Sequence, residues 1–496
     1  MTSDWKTRLA YIATAVAAVL IGYLITDEQW ILLALALVAL GGSALAAWAP
    51  RGLPLAIFAV LIYGYILGNR GFAQLSPARS VPLFPAELAL AAGGVLLLMR
   101  ATAEKRLPFF TDRMNFALLV WIGLACARIG FDVHKFGLEA IRDFAMVYYA
   151  GFFFLAQYVF SKEAEPNRWL HHTLLIATAL LLPMYLLFDR FPDFFTSRLT
   201  FRDVPLIFYK GDLVGTNLTI GGLVWFIYYE QNRNRWWALV LSLALVVAML
   251  TTNNRSSALA LLVGAGWLAI GGRWRLLRTL AVGGVLGGAA LFFWYAFQGR
   301  PLSQTPLQSL YEEASSLIDP TGKRTYAGEG SFAKGDNNRF RVVWWETVIH
   351  DTWAHNPYIG LGFGYDLAEE FLKVYYPDSS DDFRARSPHS ILVTTFARMG
   401  IVGLISFLMF LATLFAPTRW AMRGELVEAV PWVTVWAILT SSCFGVVLEG
   451  PMGAVLFWTA LGIGSAARSR TDMQASEQAL PIDKPKNADH RTFSPF

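Results

Sequence analysis

A bilayer core needs about 20 apolar residues for each helix that crosses it, and this chain supplies such runs repeatedly from Leu9 to Ala467. That repetition closes off most other folds. With 55% hydrophobic and 16% charged residues among 496, and a mean hydropathy of +0.44, the chain has too little polar surface to cover a soluble globule of its length. It reads as an all-α integral membrane protein. The first run, flanked by Arg8, resembles a signal peptide, but no small-residue cleavage site followed by a soluble domain comes after it, so it is kept as a span.

Fourteen spans are predicted, at 9–26, 30–49, 53–68, 83–99, 115–130, 142–160, 169–188, 213–230, 236–252, 256–271, 279–297, 389–415, 430–448 and 452–467. Orientation follows from the connections. With a cytoplasmic N-terminus every inward segment is basic, from Lys6 and Arg8 through Arg233 and Arg235 to Arg468 and Arg470. The outward turns Thr26–Gln29 and Glu449–Pro451 carry no Lys or Arg. An even count leaves both ends in the cytoplasm. The expected organisation is a membrane domain over 1–297 with about eleven spans, an extracytoplasmic loop domain over 298–388, further spans within 389–470, and a disordered polar tail over 471–496. Segments 69–82, 131–141 and 189–212 form shorter outward loops, the last with the mix of Phe, Arg, Asp and Pro that suits a membrane interface.

The formal net charge of +5 then reports orientation, with no nucleic-acid partner implied. Cys126 and Cys443 both fall in apolar runs, which argues against a disulfide framework. Within the long loop, helical spacing from Arg339 to Trp353 should end at Asn356-Pro357, and Gly360, Gly362 and Gly364 permit a tight return.

Ionisable groups at membrane depth are expensive and so mark function. Arg128, Arg142 with Asp143, Arg255 and the deeper Arg398 qualify. Arg255 lies in TTNNRSSAL, between two spans with almost no loop, where a fixed guanidinium matches a phosphate or diphosphate. An arginine snorkelling to lipid headgroups explains it equally well. Arg341 precedes Trp345 by one helical turn, and Arg339 lies two residues earlier. The loop holds thirteen acidic against nine basic residues, so arginines beside these aromatics suggest a local anion site within an acidic surface.

His389 follows Ser387-Pro388, a cap and first-turn signature that places it in the first turn of its span. The helix dipole there opposes protonation, which leaves a neutral imidazole able to take a proton from a hydroxyl. A capping or hydrogen-bonding role is the plainer alternative. His350 and His355 lack a comparable helix start. The acidic run Asp378–Asp382 has no second carboxylate pair to make a metal site with it. Asp27 and Glu28, in the first outward turn, could serve as the base of a lipid-phosphate sugar transferase. A flippase or transporter would carry its charges at the midplane in paired broken helices, which the sequence lacks. There is no Walker loop, dinucleotide fingerprint or nucleophile elbow.

Three features together resemble the O-antigen ligase and O-antigen polymerase (Wzy-type) superfamily. They are Arg255 at a helix junction, Arg341-x-x-x-Trp345 followed by Pro357-x-x-Gly360-x-Gly362, and the histidine of PHSILVTTFARMGIVGL opening the span after the long loop. The usual His-Asn pair reads His389-Ser390 here, and Arg339 and Arg341 compete for one family position. The resemblance implies a GT-C-like, inverting glycosyltransferase of polysaccharide biosynthesis at the bacterial inner membrane, with a periplasmic active site. Its donor would be an undecaprenyl-diphosphate-linked glycan, its acceptor a glycan, lipid A core or protein hydroxyl, and it would need no nucleotide sugar, metal or cofactor. Under it His389, Arg255 and Arg341 are the catalytic residues, while Arg339, Arg128 and Arg142 are secondary contacts to the diphosphate.

Overall fold

The computed structural model describes residues 52–76, 84–105, 109–252, 254–297, 315, 331–375 and 386–479. The expected spans 9–26 and 30–49, Asp27, Glu28, the acidic run 378–382 and the tail beyond residue 479 lie outside these residues. Helices dominate the described part. Five of them are long and apolar enough to cross a membrane: Pro85–Glu104, Arg113–Phe136, Leu138–Phe160, Pro166–Arg190 and Ile391–Arg423. Shorter apolar helices run Gly52–Gly68, Trp236–Thr251, Arg255–Ile270 and Leu426–Ser442. Helices Gly211–Gln231, Arg275–Phe297 and Pro451–Ala479 complete the bundle. Large side chains such as Phe116, Val285 and Phe293 point outward with at least 70% of their surface exposed, as lipid contact allows and water does not.

Composition explains the ends of these helices. Pro85 and Pro166 occupy opening turns, where a missing N–H costs nothing. Asp112 caps the Arg113–Phe136 helix by accepting from the Asn115 amide at 2.8 Å. Inside the bundle Asn115, Gln157 and Ser465 join three helices through side-chain hydrogen bonds of 2.7–3.0 Å, the kind of polar link that holds helices together in lipid.

Several boundaries differ from the sequence-based expectation. The outward loop 131–141 is almost absent: one helix runs to Phe136, Gly137 turns with φ +60°, and the next helix opens at Leu138. That next stretch is three short helices, Leu138–Asp143, Ala145–Tyr148 and Gly151–Phe160. The 189–212 segment holds a π-helical turn, Phe194–Arg198, and a two-residue hairpin pairing Thr200–Phe201 with Val204–Pro205. The last helix continues to Ala479, past the expected start of the tail.

The span after the long loop departs most. It begins at Ile391 with Ser390 at the cap, so Ser387 and Pro388 do not open it and His389 is not in its first turn. His389 instead takes a left-handed φ of +56°. This helix also breaks at Gly400 (φ 64°, ψ −164°). The amides freed by the break do not go unpaired: Ile401 N donates to Pro357 O (2.8 Å) and Val402 N to Tyr358 O (3.2 Å), while Ala397 O accepts from Leu361 N (2.7 Å). The turn after Pro357 thus replaces the helix's own hydrogen bonds. A Cβ at Gly400 would lie 2.3 Å from Tyr358 O, so only glycine permits the insertion.

Within the long loop one helix runs Ser331–His355 and ends just before Asn356-Pro357, and a shorter one runs Glu369–Tyr375. Their apolar cluster of Trp344, Val348, Leu367, Phe371 and Leu372 packs on Ala397 of the broken helix. We call this unit the cap.

Candidate functional site

Asn254 is the cap of the Arg255–Ile270 helix. Its Oδ1 accepts from the Ser256 amide (3.0 Å), the Ser256 hydroxyl (2.6 Å) and the Ser257 amide (3.4 Å). Arg255 is therefore fixed as the first helical residue, at the end of the bundle that faces the cap. Gly215, on the neighbouring Gly211–Gln231 helix, packs so closely on Ser257 that a Cβ there would meet its hydroxyl at 2.5 Å.

Arg341 lies on the cap helix with Trp344 and Trp345 three and four residues on, hence on the same face. Both tryptophans reach the segment before the broken helix. Trp345 Nε1 donates to Pro388 O at 2.5 Å, and Trp344 stands edge-on to the His389 ring with centroids 5.6 Å apart. One helical face thus carries a guanidinium and positions the imidazole. Arg341 is half-buried, whereas Arg339 is exposed, so Arg341 is the one turned into the cluster.

The charges of these groups act on one another. Burial lowers the Arg341 pKa, the Arg255 charge lowers it further, and the Asp212 carboxylate opposes both. Burial brings the His389 imidazole from 6.5 down to about 4, with Lys210 and Arg341 adding to the effect and Asp212 again opposing it. The imidazole is therefore neutral near pH 7, as expected. The cause is desolvation and neighbouring cations; no helix start is involved, since the helix begins two residues later. His389 Nδ1 is buried with no hydrogen-bond partner.

Arg128 and Arg142 belong elsewhere. Arg128 bonds Asp132 (3.1 Å) and Gly360 O (3.3 Å), and Arg142 pairs with Glu139 (2.9 Å) and Asp143 (3.5 Å). Arg128 and Arg398, whose guanidinium meets Asp143 at 2.7 Å and Gly362 O at 3.0 Å, fasten the Gly360–Gly364 return to the bundle. The Phe363 amide donates to Asp132 (2.7 Å) and the Gly364 amide to Asp143 (3.1 Å). This second charged cluster anchors the cap. Neither Arg128 nor Arg142 is among the charges that act on His389 or Arg341.

Three residues escaped the sequence reading: Lys210, Asp212 and Glu449. Lys210 and Asp212 form an ion pair of 3.3 Å where the Gly211–Gln231 helix begins. Glu449 accepts from the hydroxyls of Ser387 (2.7 Å) and Thr394 (2.9 Å), bracing the segment that carries His389. Burial raises its carboxyl pKa against the pull of those two donors. The only hint in the sequence was that each lies where an apolar run meets polar residues. Among the described residues no group of three or more His, Cys, Asp or Glu side chains gathers as a metal site. His355 is paired with Asp351 at 2.8 Å, away from the cluster.

Residues 238–408 match the family model for O-antigen ligase. Over that segment the chain is similar to the O-antigen ligase family. The matched third of the chain contains Arg255, Arg341 and His389, and also the helix break at Gly400. No curated protein matches the chain. Similarity over that segment suggests membrane glycan ligase or polymerase activity, with a lipid-linked glycan and an acceptor as partners, at the bacterial inner membrane.

Proposed function

We propose that this O-antigen ligase-type protein transfers a glycan from an undecaprenyl-diphosphate donor to an acceptor hydroxyl by direct displacement with inversion, without a metal. The observation that carries the reading is the meeting of Arg255, Arg341 and a neutral His389 at the end of the bundle beneath the cap. Breaking the bond between the sugar and the diphosphate leaves negative charge on the departing oxygens, and fixed guanidinium groups stabilise charge that appears there. His389 takes the acceptor's proton as the acceptor oxygen bonds to the sugar. The basic connections support fourteen spans with both termini cytoplasmic and this site periplasmic.

The test is transfer by the purified protein given a lipid-linked repeat unit. Long chains formed without added core identify a polymerase, and product formed only with an added core or protein acceptor identifies a ligase. No product from any lipid-linked donor overturns the reading.

The same assay tests the state of the imidazole. With His389 at about 4, kcat/KM should stay level as pH falls through 6.5 and decline only toward 4. A decline centred near 6.5 would contradict a desolvated base. Stability should follow the same sign. Between 6.5 and 4 the unfolded chain binds a proton that the folded protein does not, so this histidine's contribution is whole above 6.5 and is lost as pH falls through 4.

A further inference from the structure

The site carries more cation than the proposed reaction has so far used. Lys210 acts electrostatically on His389 together with Arg341, yet the chain presents it from a different part of the molecule. We propose that Lys210 is the third cation of the diphosphate site, held by Asp212 while the site is empty and transferred to the phosphate oxygens when the donor binds. This rests on the glycan-transfer reading above.

Position supports it first. A Cβ on Gly445 would lie 3.1 Å from Asp212 Oδ2; the adjacent Phe444 packs its ring 6.2 Å from that of Trp345, and Trp345 holds Pro388 beside His389. On the other side, Gly215 lies one turn beyond Asp212 and packs on Ser257, two residues after Arg255. The Lys210–Asp212 pair is therefore bracketed by the two groups of residues that carry Arg255 and His389.

Its root is fixed while its head is loosely held. The Lys210 amide donates to Asn69 Oδ1 at 3.2 Å, and the same oxygen accepts from the Arg70 amide at 3.0 Å. Asn69 is fully buried in a left-handed conformation (φ +52°) that a non-glycine residue adopts only when its surroundings enforce it. Backbone hydrogen bonds Arg70 N–Phe208 O (3.0 Å) and Phe208 N–Gly68 O (3.2 Å) tie the same segments together. By contrast the ammonium sits 3.3 Å from Asp212, on a flexible four-carbon stem. Asp212 does not depend on it: the carboxylate lies in the first helical turn, where the dipole favours negative charge, and Oδ1 accepts from the Leu213 amide at 3.0 Å.

Charge then balances. Lys210, Arg255 and Arg341 less Asp212 leave two positive charges, which match a diphosphate esterified at both ends. When the sugar–oxygen bond breaks, the leaving diphosphate gains a further negative charge, and the proton taken by His389 from the acceptor offsets it. The bound diphosphate also offsets Lys210 and Arg341, the two cations that oppose protonation of His389, while Asp212 remains to favour it. The orphaned Nδ1 of His389 lies at this same site.

Steady-state transfer with the purified full-length protein separates the outcomes. Lys210→Met should raise the donor KM by roughly 10- to 100-fold, Lys210→Arg should restore it to within a few-fold, and undecaprenyl diphosphate should inhibit Lys210→Met correspondingly less. Asp212→Asn should lower the donor KM, since nothing then competes with the phosphate oxygens for the Lys210 ammonium. An unchanged donor KM in Lys210→Met, or equal losses in Met and Arg variants with a lowered melting temperature, overturns the inference. If Arg255→Ala and His389→Ala turn over normally, it is the glycan-transfer reading that fails.

Discussion

His389→Ala lowers the rate of glycan transfer by about 10²- to 10⁴-fold, the contribution typical of a positioned general base, while the purified protein elutes and melts close to the unmodified chain. The imidazole contributes little to packing. It is partly exposed, meets Trp344 edge-on, and leaves its Nδ1 unbonded. The backbone around it is held by other groups: Pro388 O by Trp345, and Ser387 by Glu449. Removing the ring therefore deletes the proton acceptor and little else. A variant that keeps more than a tenth of the rate would mean that another group takes the acceptor's proton.

This residue was legible in the sequence, but its surroundings were not. A histidine between a long polar segment and an apolar run is visible to any reader, as are Arg255 between two apolar runs and the Arg341-x-x-x-Trp345 spacing. Helix ends were harder. Ser-Pro reads locally as a start, but Trp345 and Glu449 hold Pro388 and Ser387, His389 turns left-handed and Ser390 is extended, so the helix opens at Ile391. Tertiary partners left no local signal at all. Asp132 looks like an ordinary polar end of a span and Asp143 reads only as the neighbour of Arg142, yet both receive amides from a turn more than 200 positions away in the chain. The break at Gly400 is equally invisible, because a glycine in a membrane helix is common and only the turn after Pro357 makes it obligatory.

The second large effect concerns that turn. Arg398→Met should destabilise the protein by about 3 kcal/mol, because it removes the nearest and most buried partner of the Asp143 carboxylate and leaves only the more distant Arg142 and Arg386 guanidiniums. The pair is 2.7 Å apart with side chains 3% and 11% exposed, and Arg398 also donates to the carbonyls of Gly362 and Tyr365. Losing it releases the return that anchors the cap, so transfer should fall as well. The double variant Asp143→Asn, Arg398→Met should recover part of the lost stability, since no buried charge is then left unpaired. Thermal unfolding in detergent reads both, and an unchanged midpoint in Arg398→Met would show that the cap is held by its apolar contacts alone.

Under the proposed reaction two arginines from different elements act on one diphosphate. Affinity for undecaprenyl diphosphate, measured for Arg255→Ala, Arg341→Ala and the double variant, tests this most directly. Each single substitution should weaken binding by roughly tenfold or more, and the double variant should depart from the sum of the two, since groups that share one ligand are coupled. Single variants that bind as tightly as the unmodified protein, or losses that simply add, would contradict it.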